Sequence, residues 1–180
     1  GILKANVPTR RPQIIRVKMR EEEFALYERI QEYISYFYQK YENERRGLGF
    51  IMTVYRRRLT SSFYAIRCSL ERRLKYLQGA IPSENVFDDD DLEQEELSFD
   101  VSDDMAGESR EQFLAEVNYL KEFVHKLRFL SVADSKLEQL KTELGAIFAK
   151  RSTVLVFTQY TDTMDYLRDQ LVEVYGANVA

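Results

Sequence analysis

Between residues 84 and 111 the chain carries 13 Asp/Glu against a single Arg, a net charge of −12. The stretch includes Asp88–Asp–Asp–Asp91, Glu93, Glu95 and Glu96, and Gly79–Ala–Ile–Pro82 breaks the chain just ahead of it. A segment this acidic cannot bury itself, so it is expected to connect folded parts while the flanks build the core. Its aspartates lack the spaced Asp–x–Asp–x–Asp–Gly pattern of a calcium loop, so no metal site is expected there. The flanks differ in charge. Residues 1–79 hold 17 Lys/Arg against 8 Asp/Glu, a net +9, and residues 112–180 hold 8 against 9. The overall charge of −4 therefore hides a basic half beside an acidic block. That asymmetry points to nucleic acid as a partner, or to screening of the basic half by the acidic block.

The flanks read as helices. Seven Gly and three Pro leave room for long ones. The spacing predicts a first helix from Glu21 to Arg45, its three leading glutamates facing the positive end of the helix dipole. Tyr27, Ile30, Ile34, Phe37 and Tyr41 form its apolar stripe, and Gly47 and Gly49 are expected to end it. Its tyrosines (Tyr27, Tyr33, Tyr36, Tyr38 and Tyr41) suit base stacking, although packing in a helical hairpin is the plainer reading. A second helix is expected over Phe50–Leu77, with Leu59, Phe63, Ile66, Leu70, Leu74 and Leu77 as its stripe. On that single axis Arg57, Arg72 and Lys75 fall opposite the stripe, and Arg56 and Arg67 along one edge. Such a face either contacts phosphates through arginine pairs or is simply solvated. A third helix opens at Ser109–Gln112 and places Phe113, Val117, Leu120, Val124 and Leu127 in register. A fourth opens at Ser135–Glu138 and buries Leu137, Leu140, Leu144 and Ile147.

Two short runs read differently. Gln13–Met19 alternates Ile15, Val17 and Met19 with Arg16 and Lys18, which predicts a strand. Pro8 and Pro12 bracket Arg10–Arg11 in an extended lead-in before it. Val154–Phe157 is an uninterrupted apolar run, expected as a strand buried on both faces. After Thr158–Gln159–Tyr160 a helix follows with Met164, Leu167, Leu171 and Val174 on one side. Thr161 is expected to cap that helix and Gly176 to close it. The single Cys68 and the single His125 have no partners at a catalytic or metal-binding spacing.

Val154–Leu–Val–Phe–Thr–Gln–Tyr160, followed by a helix through Thr163–Met164 and Tyr166–Leu167, resembles the start of the second RecA-like lobe of superfamily II helicases. The Phe–Thr–Gln form is most similar to the Swi–Snf-type helicase-like ATPases and their bacterial relatives. Asp134–Ser–Lys–Leu–Glu–Gln–Leu140 agrees, because a Lys–Leu–x–x–Leu helix precedes the strand in that family. The junction from Arg16–x–Lys–x–Arg20 into Glu21–Glu–Glu–Phe–x–x–Tyr27 fits the passage between the lobes. The resemblance covers the two ends of the chain well and its middle loosely.

The resemblance implies a fold that is mostly α-helical with a small α/β portion: a helical insertion attached to an incomplete RecA-like lobe. Residues 1–19 would be a lead-in and strand, 20–79 a helical hairpin, and 80–111 an acidic flexible linker. Residues 112–133 would be the third insertion helix and 134–180 the beginning of the second lobe. No Gly-rich loop ending Gly–Lys–Ser/Thr occurs, and neither do the magnesium-binding Asp–Glu pair nor the late arginine motifs. The expectation is a piece of a larger DNA-dependent ATPase that is not itself an enzyme, with ATP and Mg bound only by the parent. Double-stranded DNA and the first RecA-like lobe of the parent are the implied partners. Carried over, Thr158, Gln159 and Thr161 would touch a backbone phosphate. The basic face of the second helix, rather than the resemblance, adds Arg56, Arg57 and Arg67 as expected nucleic-acid contacts. With no signal peptide, no membrane-length apolar run and a lone cysteine, the expected compartment is the cytoplasm. A different class remains open: a helical scaffold that binds another protein through its aromatic and leucine stripes.

Overall fold

The computed structural model describes residues 11–44, 46–82, 85–87, 91, 110–130 and 134–180. Most of these are helical, in α1 (Glu21–Glu44), α2 (Arg46–Ser61), α3 (Phe63–Leu77), α4 (Arg110–Leu130), α5 (Ser135–Phe148) and α6 (Thr161–Tyr175). A short 3-10 turn, Gly176–Asn178, follows α6. None of these helices is long and apolar enough to cross a membrane. Pro8, Arg10, Ser109 and most of the acidic block lie outside the described residues, as do the side chains of Tyr38 and Tyr41.

The stripes expected on the first three helices build one core, whereas Met164 and Val174 of the expected C-terminal stripe are exposed. Helix α1 packs on α2, α2 on α3, α3 on α4, and α4 returns to α1. Ile30 and Ile34 of α1, Ile51 and Tyr55 of α2, Ile66 and Leu70 of α3 and Leu120 of α4 are wholly buried. Each such aliphatic side chain contributes about 1.5–3 kcal/mol by leaving water. Phe113, at the head of the α4 stripe, is half-buried.

The second helix is not continuous. Ser62 takes an extended conformation, φ −160° and ψ 155°, and its hydroxyl accepts the N–H of Ala65. Its own N–H donates to the Arg58 carbonyl at 3.0 Å, so one serine ends α2 and caps α3. The basic residues assigned to one axis therefore stand on two helices: Arg56 and Arg57 on α2, and Arg67, Arg72 and Lys75 on α3. Gly47 and Gly49 do not end α1. They lie inside α2, which begins at Arg46.

Capping also shifts by a residue at two places. The Asp134 carboxylate, not Ser135, caps α5, accepting the N–H groups of Lys136 and Leu137 at 2.9 and 3.0 Å. Tyr160, not Thr161, holds the N-cap position of α6 and makes no side-chain capping bond. Leu137 and Leu144 are buried as expected, whereas Ile147 is 37% exposed. Gly176 does end α6 at φ 58°, with ψ −136° outside the left-handed helical basin.

Two expectations meet a different environment. Val86 and Phe87, at the head of the acidic block, are buried in the core, and Asp91 is buried too. These three residues of the block are thus packed, because an apolar pair and one partnered carboxylate escape the cost of burying bare charge, while Asn85, Arg110 and Glu111 are exposed. Neither Gln13–Met19 nor Val154–Phe157 pairs with a strand among the described residues. Val17 and Met19 are half-buried, but Leu155 is 76% and Phe157 87% exposed. A run covered on both faces needs neighbours in a ladder, and here helices are its described neighbours. No RecA-like lobe is formed by these residues.

Candidate nucleic-acid interface

The turn that follows Val154–Phe157 is held by its own first residue. The Thr158 hydroxyl accepts the N–H of Tyr160 at 3.2 Å and donates to the Tyr160 carbonyl at 2.9 Å. Both bonds are local, a habit of threonine that favours turns over helix. Tyr160 is buried, and the guanidinium of Arg58 lies 4.7 Å from its ring centroid.

Arg58 is the hub. Its side chain is wholly buried; Nε donates to Asp91 at 2.7 Å and Nη1 to Asp162 at 2.6 Å. Asp162 sits in the first turn of α6 and also accepts from Arg72 at 3.0 Å. A carboxylate at this end of a helix is favoured by the helix dipole, and here it also compensates two arginines. The next residue, Thr163, has its hydroxyl 2.9 Å from the hydroxyls of both Ser61 and Ser62. The start of α6 is therefore clamped to the junction of α2 and α3.

Helix α5 joins the same junction. Lys136 donates to the carbonyls of Thr60 and Ser61 at 2.9 and 2.7 Å, and burial lowers its pKa from the ordinary lysine value. Tyr166 donates to Asp134 at 3.0 Å. Burial first, and the Asp134 charge second, raise that phenol above its usual value. Glu23, buried at the start of α1, accepts the backbone N–H and the hydroxyl of Ser135. It also accepts the Arg20 N–H at 2.9 Å, so a single carboxylate serves the first turns of two helices.

Beside this clamp lies a groove of about 470 Å³ where Arg57, Thr158 and Gln159 meet Ile15, Val17 and Tyr166. Of the six residues expected to touch nucleic acid, these three share one site. Thr161 is exposed at the first position of α6 and does not line the groove. Arg56 is exposed and lies 3.5 Å from the Ser35 hydroxyl, away from the groove. Arg67 is half-buried on α3, 4.7 Å over the Tyr64 ring and 3.8 Å from Glu71. Tyr64 in turn stacks on Tyr166, with 5.0 Å between centroids, so Arg67 reaches the groove only through two rings. The start of α6, where a phosphate was expected, already holds the carboxylate of Asp162.

Arg58, Arg72, Tyr160 and Asp162 were absent from the expected site, and so was a second buried pair. Arg73 of α3 donates to Glu116 of α4 through Nε at 3.0 Å and Nη2 at 3.2 Å, and the Tyr33 hydroxyl donates to the same carboxylate at 3.0 Å. Burial opposes the Arg73 charge, yet the charge and hydrogen bonds of Glu116 more than offset it and raise the guanidinium pKa. The signal was present in the sequence. Arg58 continues the Ile51–Tyr55 register, Arg73 the Ile66–Leu70 register, and Glu116 the Phe113–Leu120 register. A charge at a stripe position, with an opposite charge on a facing stripe, marks a buried pair.

Burial pushes the Cys68 thiol up to about 11, which keeps it protonated at neutral pH. His125 is exposed, its ring 4.7 Å from that of Phe129. No group of three or more His, Cys, Asp or Glu among the described residues is placed to hold a metal ion. Compared with protein-family models, curated proteins and solved structures, the chain gives no match to any of the three.

Proposed function

We propose that this chain is part of an ATP-dependent DNA translocase similar to the Swi–Snf type. In this reading it supplies the helical insertion and the start of the second RecA-like lobe. Val154–Phe157 then becomes a buried strand once the rest of that lobe is present. ATP and magnesium belong to the parent protein, and the first lobe is its partner across the nucleotide. The observation that carries the reading is the clamp formed by Arg58, Asp162, Arg72 and Thr163. It ties the loop bearing Thr158 and Gln159 to the helices that carry the basic residues. Arg57 is the cation best placed to share a phosphate with that loop.

The test is fluorescence anisotropy of a labelled duplex over a salt series, with Arg56, Arg57 and Arg67 changed to Gln and circular dichroism as the folding control. Each phosphate that the protein no longer neutralises removes about one unit from the slope of log affinity against log salt, whatever the DNA sequence. Arg57, which lines the groove with Thr158 and Gln159, carries most of the effect; Arg67, which does not line it, carries least. An unchanged slope in the folded variant moves the protein to the scaffold reading. A specific observation favours that second reading: an aromatic groove between α1 and α4 that shares no lining residue with the first groove.

A further inference from the structure

The groove between α1 and α4 encloses about 710 Å³. Tyr33, Phe37 and Phe123 form its buried floor, while Tyr36 and Tyr119 stand on its sides, 61% and 45% exposed. The rings form one connected surface. Tyr119 stacks on Phe123 at 6.0 Å and 22°, and its centroid lies 6.2 Å from that of Tyr33. Tyr36 stands edge-on to Phe37 at 5.1 Å. Two large, exposed aromatic side chains on facing helices leave a ridged aromatic trough.

The charge around that trough is acidic. Glu32 and Glu111 line it, both are exposed, and neither forms an ion pair among the described residues. Arg29, the one lining cation among the described residues, is held by both oxygens of Glu122, and Lys126 reaches the same carboxylate at 2.7 Å. These bonds, Arg29 first and Lys126 second, hold the Glu122 carboxyl down at about 2. The surface presented outward is thus aromatic, with two exposed carboxylates that form no ion pair among the described residues.

We propose that this groove docks an extended peptide that combines proline with Arg or Lys. Flat tyrosine rings accept pyrrolidine rings face to face, and tyrosine hydroxyls can donate to the peptide carbonyls that a polyproline helix leaves unpaired. Proline also enters the groove with little conformational entropy left to lose. The basic side chains of such a peptide are met by Glu32 and Glu111. The same carboxylates repel phosphates, which argues against nucleic-acid bases stacking on these tyrosines. A second copy of the chain, seated groove to groove, would bring Glu32 and Glu111 against their own kind.

The experiment uses the full chain and a fluorescein-labelled peptide of repeated Pro-Pro-Arg, read by anisotropy. Saturable binding is expected, weakened about tenfold or more by Tyr119→Ala and by Tyr36→Ala. Glu32→Lys and Glu111→Lys, made separately, each weaken it as well without removing a ring. Repeated Gly-Gly-Arg, which keeps the charge, and repeated Pro-Pro-Glu, which keeps the proline, each bind about tenfold or more weakly. Because Tyr36 and Tyr119 are exposed and the glutamates lie at the surface, all four variants should stay folded by circular dichroism. If one does not, the remaining three carry the test. The proposal is overturned if Pro-Pro-Arg fails to bind, or if Gly-Gly-Arg binds as well. It is also overturned if oligothymidylate binds and loses affinity on Tyr119→Ala, or if sedimentation shows a dimer that the same change abolishes.

Discussion

The bundle of α1 to α4 and the stretch from Ser152 to Ala180 use the same kinds of apolar residue and cover them to different extents. In the bundle, Ile30, Ile66, Leu70 and Leu120 are sealed from solvent. In the C-terminal stretch, Leu155, Phe157, Met164, Val172 and Val174 remain about half exposed or more. Charge follows the opposite rule. The bundle buries Arg58, Arg73 and Glu116 completely, while Asp165, Arg168 and Asp169 on α6 pair at the surface. A helix at 3.6 residues per turn needs one partner face, and four helices supply one another. An apolar run in extended conformation shows a face on each side and needs two, which helices on one flank do not provide.

The sharpest way to break this contrast is to remove Glu116. Glu116→Ala leaves Arg73 buried without its carboxylate and Tyr33 without an acceptor, which should cost about 3–5 kcal/mol in urea unfolding. Combining Glu116→Leu with Arg73→Met should restore most of that loss, because the paired change removes both charges. A loss below about 1 kcal/mol for the single change would mean that water or another group serves Arg73, and that the bundle is less closed than described.

Next in size is a matched pair of leucines. Leu70→Ala should destabilise by about 2–5 kcal/mol, whereas Leu155→Ala should stay within about 0.5 kcal/mol. If Leu155→Ala instead costs as much as Leu70→Ala, the C-terminal run is covered in solution and the difference between the two regions disappears.

The gentlest test is alkaline pH. Burial raises the Tyr33, Tyr55 and Tyr166 phenols above their usual values and the Cys68 thiol to about 11. Above the ordinary thiol and phenol values the unfolded chain has released protons that the folded chain still holds. Stability must then fall as pH rises. The urea midpoint should be level up to about pH 8 and decline from about pH 9 to pH 11. Tyr33→Phe should flatten the upper part of that decline, and a level profile would show these groups in contact with water.

The stripes were legible because helical spacing repeats along the chain, as Val117, Leu120, Val124 and Leu127 show. The break at Ser62 was less so: the apolar register runs across it from Leu59 to Ile66, and only the serine's capping chemistry marks it. Thr158 and Gln159 were readable from the resemblance, and Arg57 from the basic face of its helix. Their clamp was not, since Arg58 and Asp162 are 104 residues apart and meet only through the tertiary fold. The exposure of Leu155 and Phe157 was not readable either, because composition shows what a run would bury and not whether anything arrives to cover it.

The Arg73–Glu116 pair also bears on how this sequence can change over time. A folded domain has about 5–15 kcal/mol to lose, and stranding either charge would consume a large part of it. Neither position can therefore drift alone. Residues 43 apart in the chain are bound to a shared history, in which the arginine and the glutamate are kept together, exchanged together, or given up together for a pair of apolar side chains.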